Sequence, residues 1–228
     1  MGKFIEDIKL RNRPYIFKDR AEAGKFLAAM LGNYASSNAL VLAIPAGGVP
    51  VAYELAGNLD LVMDIVIVRK VQIPGNTEAG FGAMGPDGEV IFNEMLLRSL
   101  RLSKKEVEQQ VEKTKTVLEA RNQLFRKGKP VPDLNGRTVI LADDGLASGY
   151  TMSEAIRFVK RKLAKKIIAA IPTASESAIE LLLPLVDELY CPNIRGYPFA
   201  VAEAYKEWHD LSDEEVLLFL KKARGGKN

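Results

Sequence analysis

Two adjacent carboxylates, Asp143 and Asp144, close an unbroken apolar run (Val139-Ile-Leu-Ala) and are followed at once by Gly145-Leu146-Ala147-Ser148-Gly149-Tyr150-Thr151. The two glycines let the backbone turn tightly. Its N–H groups, the Ser148 and Thr151 hydroxyls and the amino end of a following helix can then surround an anion. That cradle suits one phosphate group. The carboxylates repel a phosphate, so their partners are hydroxyls on the same ligand, whose hydrogen bonds they accept. A ribose 5-phosphate meets both demands. Metal chemistry is bounded by two absences. One cysteine, Cys191, and one histidine, His209, exclude a CxxC motif and any Cys- or His-rich cluster, leaving a hard ion such as magnesium as the metal to expect. Cys191, at a predicted strand end, reads as a small buried apolar residue, and His209 as a surface or capping residue outside the site.

These groups need elements to hold them. Ala39 to Ile44 reads as a strand that breaks at Pro45-Ala46-Gly47-Gly48, before a helix over Val49 to Ala56. Leu61 to Val68 reads as a second strand that stops at Arg69 and Lys70, and Val71 to Gly88 is so rich in Gly and Pro that it predicts a mobile loop, with a short hairpin near Phe81 to Phe92. Ser103 and Glu106 form a capping-box pattern opening a long helix to about Gly128. Thr138 to Ala142 is a buried-type strand, and Met152, Ile156, Val159 and Leu163 recur on one helical face from Thr151. Lys166 to Ile171 and Asp187 to Cys191 add two strands around a helix over Ser177 to Leu183. A first helix, capped by Asp19, runs to Leu31, and a last one follows a capping box at Ser212 and Glu215. This alternation predicts an α/β fold with a central, mostly parallel sheet of about five strands and helices on both faces.

The whole-chain arithmetic agrees. With 228 residues, 47% hydrophobic and 27% charged, the composition is that of an ordinary globular protein, and a net charge of +3 gives no footprint of a nucleic-acid binder. No stretch reaches the roughly 18 apolar residues of a membrane span. Met1 to Leu10 lacks the apolar core of a signal peptide, so a cytoplasmic location is the expectation. The basic end, Lys221 to Lys227, reads as a frayed, solvated terminus.

The run from Val139 to Thr151 resembles the phosphoribosyl-pyrophosphate (PRPP) signature of type I phosphoribosyltransferases, in which two acidic residues precede a Ser/Thr-Gly phosphate loop. The resemblance covers about residues 37–220. It implies a single three-layer domain, with a core at about 37–192 and a small hood built from about 193–228 and the N-terminal segment. By the same resemblance, Asp143 and Asp144 would bind the ribose 2- and 3-hydroxyls and Gly145 to Thr151 the 5-phosphate. Pro45-Ala46-Gly47-Gly48 looks like the family's pyrophosphate loop, where paired glycines let bare backbone approach a diphosphate; as a plain turn between strand and helix it would need no ligand. The uncharacterised group of such proteins that the chain resembles tends to carry Arg in Pro-Arg-Gly-Gly, where this chain has Ala46.

Arg69 and Lys70 look like the start of the family's mobile lid, where two cations would neutralise departing pyrophosphate. Closure would keep water from an oxocarbenium-like state. Glu78 lies in that loop with no role that its neighbours assign. Phe199 to Trp208 resembles the segment that closes over the acceptor, although aromatics at such spacings also read as a small packed subdomain. The activity implied is magnesium-dependent transfer of ribose 5-phosphate from PRPP to a small nitrogenous acceptor, a nucleobase for example, with release of pyrophosphate, by a protein that dimerises with itself. Magnesium would be held mainly through PRPP and water, with no direct protein ligand. Two other readings stay open: a PRPP- or nucleotide-binding regulator of the same fold that does no chemistry, and a phosphate-ester hydrolase using the acidic pair as metal ligands.

Overall fold

A computed structural model describes residues 2–225, the side chains of Thr77 and Glu78 apart. In chain order the strands are β1 (Lys3–Ile5), β2 (Leu40–Ala43), β3 (Val62–Ile65), β4 (Arg69–Ile73), β5 (Asn76–Met84), β6 (Val90–Phe92), β7 (Thr138–Ala142), β8 (Lys166–Ala170), β9 (Thr173–Ser175), β10 (Glu188–Tyr190) and β11 (Asn193–Arg195). The α-helices are α1 (Arg20–Met30), α2 (Gly48–Leu59), α3 (Glu94–Leu100), α4 (Lys104–Arg126), α5 (Tyr150–Arg161), α6 (Glu176–Leu182) and α7 (Asp213–Gly225).

Six strands form one parallel sheet in the order β1-β10-β8-β7-β2-β3. Strand side chains alternate between two faces, and here each face meets its own core. Val41, Ala43, Ile140 and Ala142 pack with Leu27 of α1, Val51 and Leu55 of α2, Phe125 of α4 and Val216 of α7. Leu40, Leu42, Val139 and Leu141 pack with Met152, Ile156 and Val159 of α5 and Ile179 of α6. Burial on both faces is why these strands read as continuous apolar runs. The chain leaves β2 toward β3 on one side and continues from β7 to β8 on the other. The β2–β7 crevice is therefore the place where strand order reverses, and ligands of open α/β sheets bind at the carboxyl end of such a crevice.

Several expectations are corrected. The sheet has six strands, because Lys3–Ile5 pairs with β10 at one edge; three residues carry too little pattern to announce a strand. Residues 71–88, expected as a mobile loop with a short hairpin near Phe81 to Phe92, belong instead to a three-stranded antiparallel sheet, β4-β5-β6. The glycines there permit close packing instead of breaking the strand. A Cβ on Gly82 would lie 2.5 Å from the Ile91 carbonyl oxygen. Arg69 and Lys70 accordingly open β4 and do not close a strand. Leu163 lies beyond α5, exposed and at φ +59°. The last helix extends through the basic residues to Gly225, and residues 226–228 lie outside the described residues, as does the Glu78 side chain.

The caps at Asp19 and Ser103 form, and Ser212 exchanges hydrogen bonds with Glu215. Beyond Pro172 and Pro192, β9 and β11 make a separate parallel pair that extends the β8 and β10 ends of the sheet. Among the described residues no helix is long and apolar enough to cross a membrane.

Candidate active site

The acidic pair sits where the fold requires a ligand site. β2 and β7 run side by side with Ala43 opposite Ala142, so Pro45–Gly48 and Asp143–Gly145 leave the sheet together. The two loops are in contact. A Cβ on Gly48 would lie 2.5 Å from the Ala142 carbonyl oxygen, and one on Gly47 would collide with the Asp144 carboxylate. The neighbour that excludes a side chain at Gly47 and Gly48 is the acidic turn. Ala46 packs against the core below, joined to Pro45 by a cis peptide bond.

After the acidic pair the chain is anchored at Leu146. This residue is buried, donates its N–H to the Thr173 carbonyl (3.0 Å) and accepts from the Ser175 N–H (2.9 Å). Ala147 and Ser148 then bulge into solvent, with the Ala147 carbonyl accepting the Ser175 hydroxyl at 2.6 Å. Gly149, at φ +75°, reverses the chain into α5, a conformation any other L residue adopts only at a cost. Gly149 caps α5 without a side chain, so Tyr150, Thr151 and Met152 open the helix with backbone donors that no cap takes up. An uncapped helix start at the crevice is a place for an anion.

The electrostatics of the two carboxylates differ. Burial, and then the charge of Asp144, holds the Asp143 carboxyl well above the usual carboxylate range. Asp143 Oδ1 also accepts the Asp144 N–H at 2.9 Å. Asp144 has a partner that no local pattern announces. Arg20, at the start of α1, places Nε 2.8 Å from Asp144 Oδ2, with only 7% and 13% of the two side chains exposed. Arg20 also donates to the His209 carbonyl (2.9 Å), and its guanidinium lies 3.8 Å from the Trp208 ring centroid.

The Tyr205 hydroxyl donates to the Asp144 carbonyl at 2.5 Å. Burial above all, then the Asp144 charge, pushes that phenol well up and keeps it a donor. The aromatic tail is thus packed. Phe17, Ala23, Ala204 and Tyr205 form a small core of their own, held by backbone hydrogen bonds between residues 15–18 and 203–207. Val201 of this tail leans over Gly145, where a Cβ would meet it. His209 lies outside the crevice, 2.9 Å from Glu215, and Cys191 is buried with its thiol pushed up by that burial.

The structure thus brings together Pro45–Gly48, Asp143–Asp144 and the turn to Thr151. Arg69 and Lys70 open β4. Burial first, and then Arg121 of α4, lowers the Arg69 pKa, with Asp213 of α7 opposing. The Lys70 stem crosses Gly80 of the neighbouring strand. Arg20 is the site residue that sequence reasoning missed. Its partner is 124 positions away, and its only local signal is a place just after the Asp19 cap.

Comparison with known proteins agrees with this geometry. The family model for the phosphoribosyl transferase domain matches residues 18–202. Two curated proteins from strains of Mycobacterium tuberculosis, each named "Putative phosphoribosyl transferase", are 33% identical over 208 residues, or 91% of this chain. The chain spans about half the length of these curated relatives, 47%. The crystal structure of TT1426 from Thermus thermophilus superposes with a TM-score of 0.74 at 33% identity, over 90% of this chain and 98% of that one. With its parallel sheet, helices on both faces and acidic turn at the strand-order reversal, the chain belongs to the phosphoribosyl transferase domain family.

Proposed function

We propose that this chain transfers ribose 5-phosphate from PRPP to a small nitrogenous acceptor, a nucleobase for example, and releases pyrophosphate. The reading is carried by one observation: the acidic pair, the uncapped start of α5 and the Pro45–Gly48 loop converge at the crevice between β2 and β7. In the reaction the bond from the anomeric carbon to the pyrophosphate oxygen breaks, and the acceptor nitrogen bonds to that carbon. No protein nucleophile is needed. The turn from Gly145 to Thr151 fixes the 5-phosphate, and the acidic pair receives the ribose hydroxyls, which orients the carbon between donor and acceptor.

Asp144 must share its carboxylate between the sugar and Arg20. Arg20 in turn supplies, beside Gly47, a cation that Ala46 does not. Magnesium, when bound, screens the charge of the departing diphosphate. The described residues hold no group of three or more His, Cys, Asp or Glu side chains that could cage a metal. Such an ion would be held mainly through substrate and water.

A second reading has specific support. Asp144 is engaged by Arg20, and Val201 leans over Gly145, which also suits a protein that binds PRPP without turning it over. Isothermal titration with PRPP and magnesium, alongside pyrophosphate release across a nucleobase panel, separates the two. Binding with release supports transfer, and binding without release supports the regulator. Absence of PRPP binding refutes both. Asp144→Asn is expected to weaken PRPP binding by about tenfold or more, the loss of roughly one charge-assisted hydrogen bond, while the far-ultraviolet spectrum is retained; an unchanged affinity removes Asp144 from the sugar site.

A further inference from the structure

Ala147 and Ser148, in the turn between β7 and α5, are exposed, so packing does not fix the peptide that joins them. Among the described residues that peptide takes part in one hydrogen bond: the Ser175 hydroxyl donates to the Ala147 carbonyl at 2.6 Å. Ser175 is itself firmly held. It ends β9, its N–H donates to the Leu146 carbonyl at 2.9 Å, and its Oγ accepts the Ala178 N–H at 3.1 Å as the cap of α6. A hydroxyl has one proton to give. Ser175 gives it to Ala147, so the Ser177 hydroxyl, 3.1 Å away, is a second donor to Ser175. Two incoming bonds polarise the Ser175 hydroxyl and strengthen the one it makes.

A trans peptide is planar, and its carbonyl and N–H point in opposite directions. Leu146 pairs with Ala174 of β9, which continues the sheet on the β8 side of β7, whereas the crevice lies on the β2 side. With its carbonyl held toward β9, the Ala147–Ser148 peptide therefore directs the Ser148 N–H the other way, to the side on which the crevice opens. That N–H has no hydrogen-bond partner among the described residues. Without Ser175 the peptide would also sample the reverse orientation, which sets a carbonyl dipole against an anion.

We propose that Ser175 is a positioning residue for the phosphate turn: its hydroxyl fixes the Ala147–Ser148 peptide so that the Ser148 N–H joins the uncapped start of α5 in binding a sugar phosphate. The inference rests on the transferase reading above and adds a residue outside the turn on which affinity for the 5-phosphate depends. Ribose 5-phosphate is the probe, titrated into the parent, Ser175→Gly and Ser175→Thr, with PRPP and magnesium titrated into the same samples. Glycine caps a helix nearly as well as serine but removes the donor, and threonine restores it. Ser175→Gly is expected to weaken ribose 5-phosphate binding by about three- to tenfold, the loss of roughly one hydrogen bond, and Ser175→Thr to return it to within about twofold of the parent. In nitrogen-15 spectra the Ser148 amide proton should move downfield when the parent binds, and by less in Ser175→Gly.

Equal affinity in the parent and Ser175→Gly overturns the proposal, as does an equal loss in Ser175→Gly and Ser175→Thr. So does a Ser148 amide that saturating ribose 5-phosphate leaves in place. If Ser175→Gly fails to fold, Ser175→Cys, similar in size and a weak donor, replaces it, and an affinity equal to that of Ser175→Thr refutes the assignment. A parent that binds neither ribose 5-phosphate nor PRPP refutes the transferase reading itself, and the role of Ser175 with it. Binding by the parent that Ser175→Gly leaves unchanged removes Ser175 alone.

Discussion

Replacing Arg20 by Met removes the guanidinium and keeps most of the stem. Asp144, 13% exposed, then carries a charge with its partner gone, facing Gly47 on one side and Asp143 on the other. Breaking one half of a buried ion pair costs about 3–5 kcal/mol. For a chain of this size each kcal/mol is worth about 2–4 °C in Tm, so Arg20→Met should melt about 6–20 °C below the parent. Asp144→Asn is milder, because Arg20 keeps the His209 carbonyl and the Trp208 ring. In the double variant no charge is stranded, and what remains missing is chiefly the stacking on Trp208, about 0.5–2 kcal/mol. Urea denaturation of the four proteins in the cycle should return a coupling energy of at least about 2 kcal/mol, against the roughly 0.5 kcal/mol within which independent sites add. Additivity within that margin would mean that the 2.8 Å contact does not hold the acidic turn, and the role assigned to Arg20 would fall.

Asp143→Asn should stabilise the protein at neutral pH by about 1 kcal/mol, as removal of strained active-site charge commonly does. The folded-state pKa of Asp143 is raised, first by burial and then by Asp144, so ionising it opposes folding once the pH exceeds the unfolded value of about 3.9. The advantage of Asn should therefore grow from about pH 4 upward through the raised value and vanish below about pH 4. Melting curves across that range check it, and a gain that persists in acid would contradict the cause given. Gly47→Ala puts a methyl group into the Asp144 carboxylate and should lower stability by about 1–3 kcal/mol, the usual cost of overpacking, together with PRPP affinity; a variant as stable as the parent would show that the two loops yield to each other.

Legibility in the sequence followed the range over which each feature is determined. The β7–turn–α5 unit could be read because strand, breaker and helix face are all local, and the Ser103–Glu106 cap because its partners are three residues apart. β1, β9 and β11 have three residues each, and their pairing is decided by partners far along the chain. The glycines of β5 misled for a physical reason: glycine marks either a break or a close approach, and only the packed neighbour tells which. At the site the acidic pair and both loops stood out by residue type. Arg20 and Tyr205 did not, because a buried cation or phenol differs from an exposed one only in what tertiary structure brings to it.

Arg20 reaches Asp144 across 124 positions and the His209 backbone across 189. A ribosome-bound chain that has emerged as far as β11 already holds every strand of the parallel sheet, the phosphate turn and Arg20, yet it lacks the Trp208 ring and His209 carbonyl that hold Arg20 in place and the Tyr205 hydroxyl that holds the Asp144 backbone. Competence for sugar phosphate would then wait until the segment around His209 threads back onto α1, and a nascent chain stalled short of it would hold a sheet without a working crevice.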